Sequence, residues 1–202
     1  MLDERLLLIT GDYAEDYEVM VPYQALQMVG YPVDTVAPNK KPGDSIHTAV
    51  HYSEDADTYL EREGHPFEIN SNLNTVDVAD YVGLVLPGGR APEYIRLNDR
   101  VIEIVRMFFE EDKAVAAICH AAQILVASDV LEDRTITAYQ SLKPDVEQAG
   151  ATWSEENPTV DDNLVTAQAW PAQPKWLSKF LQVLDDIHPE SNWMEQSTWM
   201  EE

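Results

Sequence analysis

Three runs of the chain, residues 5–10, 81–86 and 114–118, are apolar at nearly every position. That is the pattern of strands buried on both faces of a sheet, where no alternation with polar residues is needed. Between them the pattern changes to helical spacing. Residues 16–30 carry apolar side chains three and four apart, with Asp16 as an expected cap, Pro22 in about the first turn and Gly30 as a stop. Residues 31–37 supply a second strand, and Asn98 is well suited to cap a helix over 99–111. A further helix follows Cys119 to about Ser128. Alternation marks 134–138 as a strand, 144–148 as a short helix, and 151–153 and 163–167 as short strands. Residues 174–187 place Trp176, Leu177, Phe180, Leu181 and Leu184 on one face of an amphipathic helix. Strands alternating with helices in this way predict an α/β fold: a doubly wound, mostly parallel sheet flanked by helices.

Two segments depart from that rhythm. Residues 38–70 are a polar excursion with short strands expected near 46–50 and 66–69, and they hold His47, His51 and His65. His47 and His51 are four apart, a metal-binding spacing on a helix that Asp55 or Asp57 could complete. The local sequence is not helical, so the spacing loses that meaning, and the histidines read as solvated or locally bonded. Residues 189–202 mix acids with Trp193, Met194, Trp199 and Met200, and fit either a tail or an arm against a neighbouring subunit. No Pro/Gly/Ser-rich break divides residues 1–188, which read as a single domain.

Charge narrows the range of partners. The 202 residues include 37 acids and 13 bases, a formal net charge of −24 spread along the whole chain. Nucleic acid is disfavoured, because nothing would neutralise phosphates. Uniform excess acid suits a surface that stays soluble in concentrated salt, and so a salt-loving source. The one cysteine cannot form an internal disulfide, and no apolar run approaches the ~20 residues that cross a bilayer. A cytoplasmic protein with no membrane partner is expected.

The chemistry centres on Lys113-Ala-Val-Ala-Ala-Ile-Cys119-His120-Ala-Ala-Gln-Ile-Leu125, where a buried strand runs into a cysteine and then a helix. A side chain at the carboxyl end of such a strand points into the crevice where open α/β sheets bind ligands. The amino-terminal end of the following helix is expected to favour the thiolate. Alone, a single cysteine is more often a small buried hydrophobe. Glu18, in the first helical turn after the first strand, shares that sheet edge, though complementing the helix dipole is its ordinary role. Pro87-Gly88-Gly89 could turn N–H groups towards the crevice as an oxyanion cradle, and Glu93 lies in the connection beyond it.

The elbow lacks the glycine pattern of α/β-hydrolases. Leu86-Pro-Gly-Gly-Arg-Ala-Pro-Glu-Tyr94, Ala117-Ile-Cys-His120, Ala138-Tyr139 and Asn163-Leu-Val-Thr166 together resemble the ThiJ/PfpI superfamily, over Leu6 to Leu184. The insertion from 39–44 through 64–67 is similar to that of plant-type tandem-domain glyoxalases. The resemblance implies a flavodoxin-like, class I glutamine amidotransferase-like fold. It implies Cys119 as nucleophile, His120 as its acid/base neighbour, and Glu18 as the buried carboxylate that accepts and donates protons. Glu93 would reach His120 of an adjacent copy, so a homo-oligomer is implied. Gly88, Gly89 and the backbone around His120 and Ala121 would hold an oxyanion or substrate. Relatives often carry Gly-Pro or Gly-Gln where this chain has Ala121-Ala122, so added methyls are expected to narrow the pocket.

The implied activity is a cofactor-independent glyoxalase or deglycase acting on 2-oxoaldehydes such as methylglyoxal, with no metal, nucleotide or glutathione. The alternatives are a PfpI-type cysteine peptidase or amidase acting on peptides, with Cys119, His120 and Glu93 in triad roles, and a redox-sensing or chaperone-like stress protein.

Overall fold

The computed structural model describes residues 4–52 and 57–189. Strand β1 (Arg5–Ile9) leads to helix α1 (Asp16–Met28) and strand β2 (Val33–Val36). A hairpin of β3 (Ser45–Tyr52) and β4 (Leu60–Glu68) follows, then β5 (Tyr81–Leu86), α2 (Ala91–Ile95), α3 (Asp99–Glu110) and β6 (Ala114–Ile118). Beyond Cys119 come α4 (Ala122–Ala127), β7 (Thr135–Ile136), α5 (Lys143–Gln148), β8 (Thr152–Trp153), β9 (Thr159–Asp161), β10 (Leu164–Ala167) and α6 (Gln173–Ile187).

Six strands form the central sheet in the order β2-β1-β5-β6-β10-β9, parallel except for β9. This is the doubly wound, flavodoxin-like architecture. Successive residues of each strand serve opposite faces, which explains the continuous apolar runs. Leu7, Ile9, Leu84, Leu86, Val115 and Ala117 pack under α3 and α4, while Leu6, Leu8, Val85, Ala116 and Ile118 pack under α1 and α6. Trp176 is wholly buried in the second layer and donates from its indole to the Val165 carbonyl at 3.1 Å. From β1 the chain turns to β2 on one side and later returns to β5 on the other. The carboxyl ends of β1 and β5 therefore flank a topological switch point, where such sheets open a crevice.

Several expectations need correction. Glu15, not Asp16, caps α1, and Pro22 lies in its second turn. There Pro22 withholds the N–H that would bond the Glu18 carbonyl, a break in the ladder that tertiary packing must offset. The excursion is a long two-stranded antiparallel ladder. The expected strand at 134–138 shrinks to two residues paired with β8, because the Thr137 N–H goes to the Thr166 hydroxyl at 3.0 Å. Edge strand β9 was not foreseen, and Glu93 sits in a short helix rather than a connection. Residues 190–202 of the tail or arm expected over 189–202, and Asp55, lie outside the described residues.

Candidate active site

Four segments distant in sequence meet at the switch point. The β6 strand ends at Cys119, whose φ of 59° puts a non-glycine residue in the left-handed region. Such a conformation costs on the order of 1–2 kcal/mol and persists where surrounding contacts hold it. The turn aims Sγ into the crevice and brings it 3.2 Å from Nδ1 of His120. Gly88 and Gly89 close in from the end of β5. A methyl on Gly88 would sit 2.6 Å from both Cys119 Cβ and Glu18 Oε2. Gly89, at φ +76°, runs so close to the segment before α1 that a methyl would meet Glu15 N at 2.2 Å.

From α1 comes Glu18, wholly buried, accepting the Gly88 N–H at 2.9 Å. Burial, and then the charge of Glu15, push its carboxyl up to about 8, although the Gly88 N–H, Cys119 and the Trp170 N–H favour the ionised form. Cys119 is pushed well above its ordinary value by burial and by the charge of Glu18, against the pull of the Gly89 and His120 N–H groups. The thiolate expected from the helix end is thus corrected. The helix after the cysteine is a 3-10 turn and six residues, too little to outweigh burial beside a carboxylate. Two buried acids in contact share one negative charge more readily than they carry two, so they titrate as a pair. Burial and the neighbouring His51 lower the His120 imidazole to about 4, and the ring is neutral at physiological pH.

The hairpin supplies the outer wall. His51 donates its main-chain N–H to Glu15 Oε2 at 2.8 Å, and its ring Nδ1 lies 2.5 Å from the same oxygen. Asp16 grips β3 and β4 together. Its Oδ1 accepts from the Thr48 hydroxyl at 2.5 Å and from the His65 N–H at 2.8 Å. Consecutive acids at the start of α1 thus clamp both strands. Tyr59 packs edge-on against His51 and His120 at 4.9 and 5.6 Å, and Tyr139 stacks on His120 at 4.5 Å. Together with Trp170 these residues enclose a cavity of about 460 Å³ above Cys119, Glu18 and Gly89. The room suits a small molecule.

With this geometry in place, residues 4–183 match the DJ-1/PfpI family. The chain belongs to that family. It is 46% identical over 186 residues to Protein DJ-1 homolog D of Arabidopsis thaliana, covering 90% of this chain and 48% of that one. It therefore spans about half the length of that plant relative. A deglycase of Pyrococcus abyssi is 34% identical over 180 residues, covering 89% of this chain and 99% of its own. Among solved structures, a two-domain protein of Anabaena variabilis with DJ-1/ThiJ/PfpI-like and ferritin-like domains superposes with a TM-score of 0.79 at 23% identity. That match covers 90% of this chain and 48% of the other, and it speaks for the fold alone.

In this DJ-1/PfpI chain Cys119, His120, Glu18 and Gly89 come together as expected, while other expected positions do not. The Gly88 N–H is already engaged by Glu18, so Gly88 positions the carboxylate rather than an oxyanion. The Ala121 and Ala122 methyls are buried in the core layer under α3 and do not line the cavity, so they do not narrow it. Glu93 is exposed in the first turn of α2 and makes no hydrogen bond to His120 among the described residues. His47 and His65 are largely exposed beside Glu63 and Asp16. His51 is the exception to the solvated reading. It lines the cavity, and its partner Glu15 is 36 residues away in the chain and only 2% exposed. Glu15, Tyr59 and Trp170 were also missed. Only the adjacency of two acids at the start of a helix hinted at Glu15.

Among the described residues no group of three or more His, Cys, Asp or Glu could hold a metal ion. No helix among them is long and apolar enough to cross a membrane.

Proposed function

We propose that this chain is a cofactor-independent glyoxalase or deglycase converting 2-oxoaldehydes such as methylglyoxal to 2-hydroxy acids. The observation that carries the reading is Glu18: a buried carboxyl raised to about 8, held by the Gly88 N–H beside the only cysteine. A proton carrier poised near neutral pH next to a soft nucleophile is what an internal redox rearrangement on two adjacent carbons requires. The family's deglycase-named members support the same class of substrate.

Glu18 takes the Cys119 proton as sulfur bonds to the aldehyde carbon, and the carbonyl oxygen gains that proton to give a hemithioacetal. The Gly89 and His120 N–H groups, both near sulfur, favour negative charge on the developing oxygen. Glu18 then removes the hydrogen on C1 and returns a proton to C2, while the C1 hydroxyl proton passes to the C2 oxygen through the enediol, so C1 is oxidised and C2 reduced with no external electron carrier. The product is a Cys119 thioester of the 2-hydroxy acid. Water hydrolyses it, restoring the thiol.

A peptidase or amidase must protonate an amine, and a neutral His120 lowered to about 4, without a carboxylate partner among the described residues, is poorly suited to that task. Glu93 would serve such a role only from a neighbouring copy in a homo-oligomer, an arrangement its exposure in α2 permits. A buried thiol held above its ordinary value is likewise a slow redox sensor.

The test is lactate formation from methylglyoxal without glutathione or metal, comparing wild type with Cys119→Ala and Glu18→Gln. Lactate in the wild type and none in either variant is expected. A folded wild type that consumes no methylglyoxal would sink the reading.

A further inference from the structure

Methylglyoxal is much smaller than the crevice above Cys119. The cavity of about 460 Å³ falls among sites that take drug-sized ligands, roughly 300–1,000 Å³. A three-carbon dicarbonyl bonded to Sγ through C1 covers only the floor, so the rest of the room belongs to the substituent on C2.

The walls around that room are aromatic. Tyr52 and Tyr59 come from the hairpin, Tyr139 from the segment after β7, and Trp170 and Pro171 from the segment before α6. The Tyr59 ring meets those of His51, His120 and Tyr139 edge-on, at 4.9, 5.6 and 6.1 Å. Aromatic rings favour such edge or offset contacts, with centroids about 4.5–7 Å apart, so one further ring extends a packing already built. Trp170 contacts Tyr17 obliquely at 5.4 Å and stays 44% exposed. An indole left half open on a cavity wall is apolar surface that a bound ring would cover.

Charge narrows the substituent further. Glu15 and Glu18 line the cavity, and among the described residues no lysine or arginine does. His51 lies between the carboxylates of Glu15 and Glu61, and Arg90 is engaged by two 2.6 Å bonds to Glu61. Burial, and then the charges of Glu93, Cys119 and Glu61, push the Tyr59 hydroxyl up, as a wall at negative potential does. A carboxylate or phosphate on the substituent finds no cation here, and the net charge of −24 repels it on approach.

We propose that the preferred substrates are 2-oxoaldehydes with an uncharged aryl group on C2, such as phenylglyoxal, and that Tyr59 and Trp170 select them. This rests on the glyoxalase reading above and names its substrate class. The bonds made and broken are those already given. Sulfur adds to the aldehyde carbon, the hydrogen on C1 is lost as a proton and C2 gains one through the enediol, and water releases mandelate from the Cys119 thioester. The aryl ring takes no part in the chemistry, and its burial acts on KM.

The experiment measures hydroxy-acid formation from methylglyoxal, phenylglyoxal and cyclohexylglyoxal by wild type, Tyr59→Ala, Tyr59→Phe and Trp170→Ala. Cyclohexylglyoxal separates a ring of π electrons from mere bulk. The wild-type KM for phenylglyoxal is expected about tenfold or more below that for methylglyoxal, with cyclohexylglyoxal between them. Tyr59→Ala and Trp170→Ala should each raise the phenylglyoxal KM several-fold more than the methylglyoxal KM, and Tyr59→Phe should keep the preference. A wild type with equal KM values, or one that favours cyclohexylglyoxal, overturns the inference. So do alanine variants that weaken both substrates alike, which would make the two walls structural only.

Should the wild type make no hydroxy acid, the glyoxalase reading fails, and alkylation of Cys119 still decides what the cavity holds. Rates with iodoacetanilide, iodoacetamide and iodoacetate are each taken relative to free cysteine. A preference for iodoacetanilide that both alanine variants reduce, with iodoacetate the slowest, supports an uncharged aryl site. No such preference, one that survives in both variants, or iodoacetate as fast as iodoacetamide overturns it.

Discussion

The Glu18 carboxylate accepts a hydrogen bond from the Gly88 N–H at 2.9 Å across seventy residues of sequence. This joins the start of α1 to the end of β5 directly beside Cys119. It also keeps a carboxyl in a dry site, where its proton is available near neutral pH.

Glu18 titrates at about 8 in the fold against 4.5 as its ordinary value. Between those pH values the folded state binds more protons than the unfolded state, so this group's contribution to stability falls as pH rises from 4.5 to 8. Glu18→Gln removes the dependence. The melting temperature of the variant relative to wild type should climb from pH 5 to pH 8, while lactate formation falls about 10²-fold or more. A constant difference in melting temperature would contradict the raised carboxyl.

Alkylation of Cys119 by iodoacetamide should rise with pH through a step near 8, the first deprotonation of the Glu18–Cys119 pair. In Glu18→Gln that step should vanish, leaving the thiol to titrate alone at the higher pH its burial imposes. A step near 6 in the wild type would instead indicate a thiolate–imidazolium pair with His120.

Gly88→Ala and Gly89→Ala test how tightly the elbow is built. The Gly88 methyl would strike Cys119 Cβ and Glu18 Oε2, and the Gly89 methyl would strike backbone at a positive φ. Each should cost about 1–3 kcal/mol, Gly89→Ala the more because backbone cannot swing aside. Chemical denaturation measures the cost, and activity should be lost in both.

Asp16→Ala should release the hairpin from α1. It removes the acceptor of the Thr48 hydroxyl and the His65 N–H, bonds worth about 1–3 kcal/mol when a buried partner is left unpaired. Amide hydrogen exchange in β3 and β4 should quicken while β5 and β6 stay protected. Equal protection in variant and wild type would show that the clamp is dispensable.

A net charge of −24 makes self-repulsion large at low ionic strength. The melting temperature should rise steadily from dilute buffer to molar sodium chloride. A flat response would remove the case for a salt-adapted surface.

The central strands and main helices were legible in order, because a strand buried on both faces must be apolar throughout and a covering helix must repeat near 3.6. Cys119 at the end of β6 and Glu18 after β1 followed from that alternation, since parallel strands present their carboxyl ends at one edge. Local turns were less legible. Glu15 and Asp16 are adjacent, and only the tertiary structure decides which caps the helix and which grips β4.

The sequence by itself therefore determined the layers of the fold and the edge on which a reactive cysteine stands, because periodicity and strand direction are local and additive. The tertiary structure alone decided the protonation states and the outer wall. Burial and proximity raise Glu18, raise Cys119 and lower His120 against what their neighbours in the chain suggest. The hairpin turns His51 from a solvated residue into one that lines the cavity, held by a carboxylate that no spacing rule connects to it. Electrostatics in a dry crevice depends on which groups meet there, and that is settled only when the chain closes on itself.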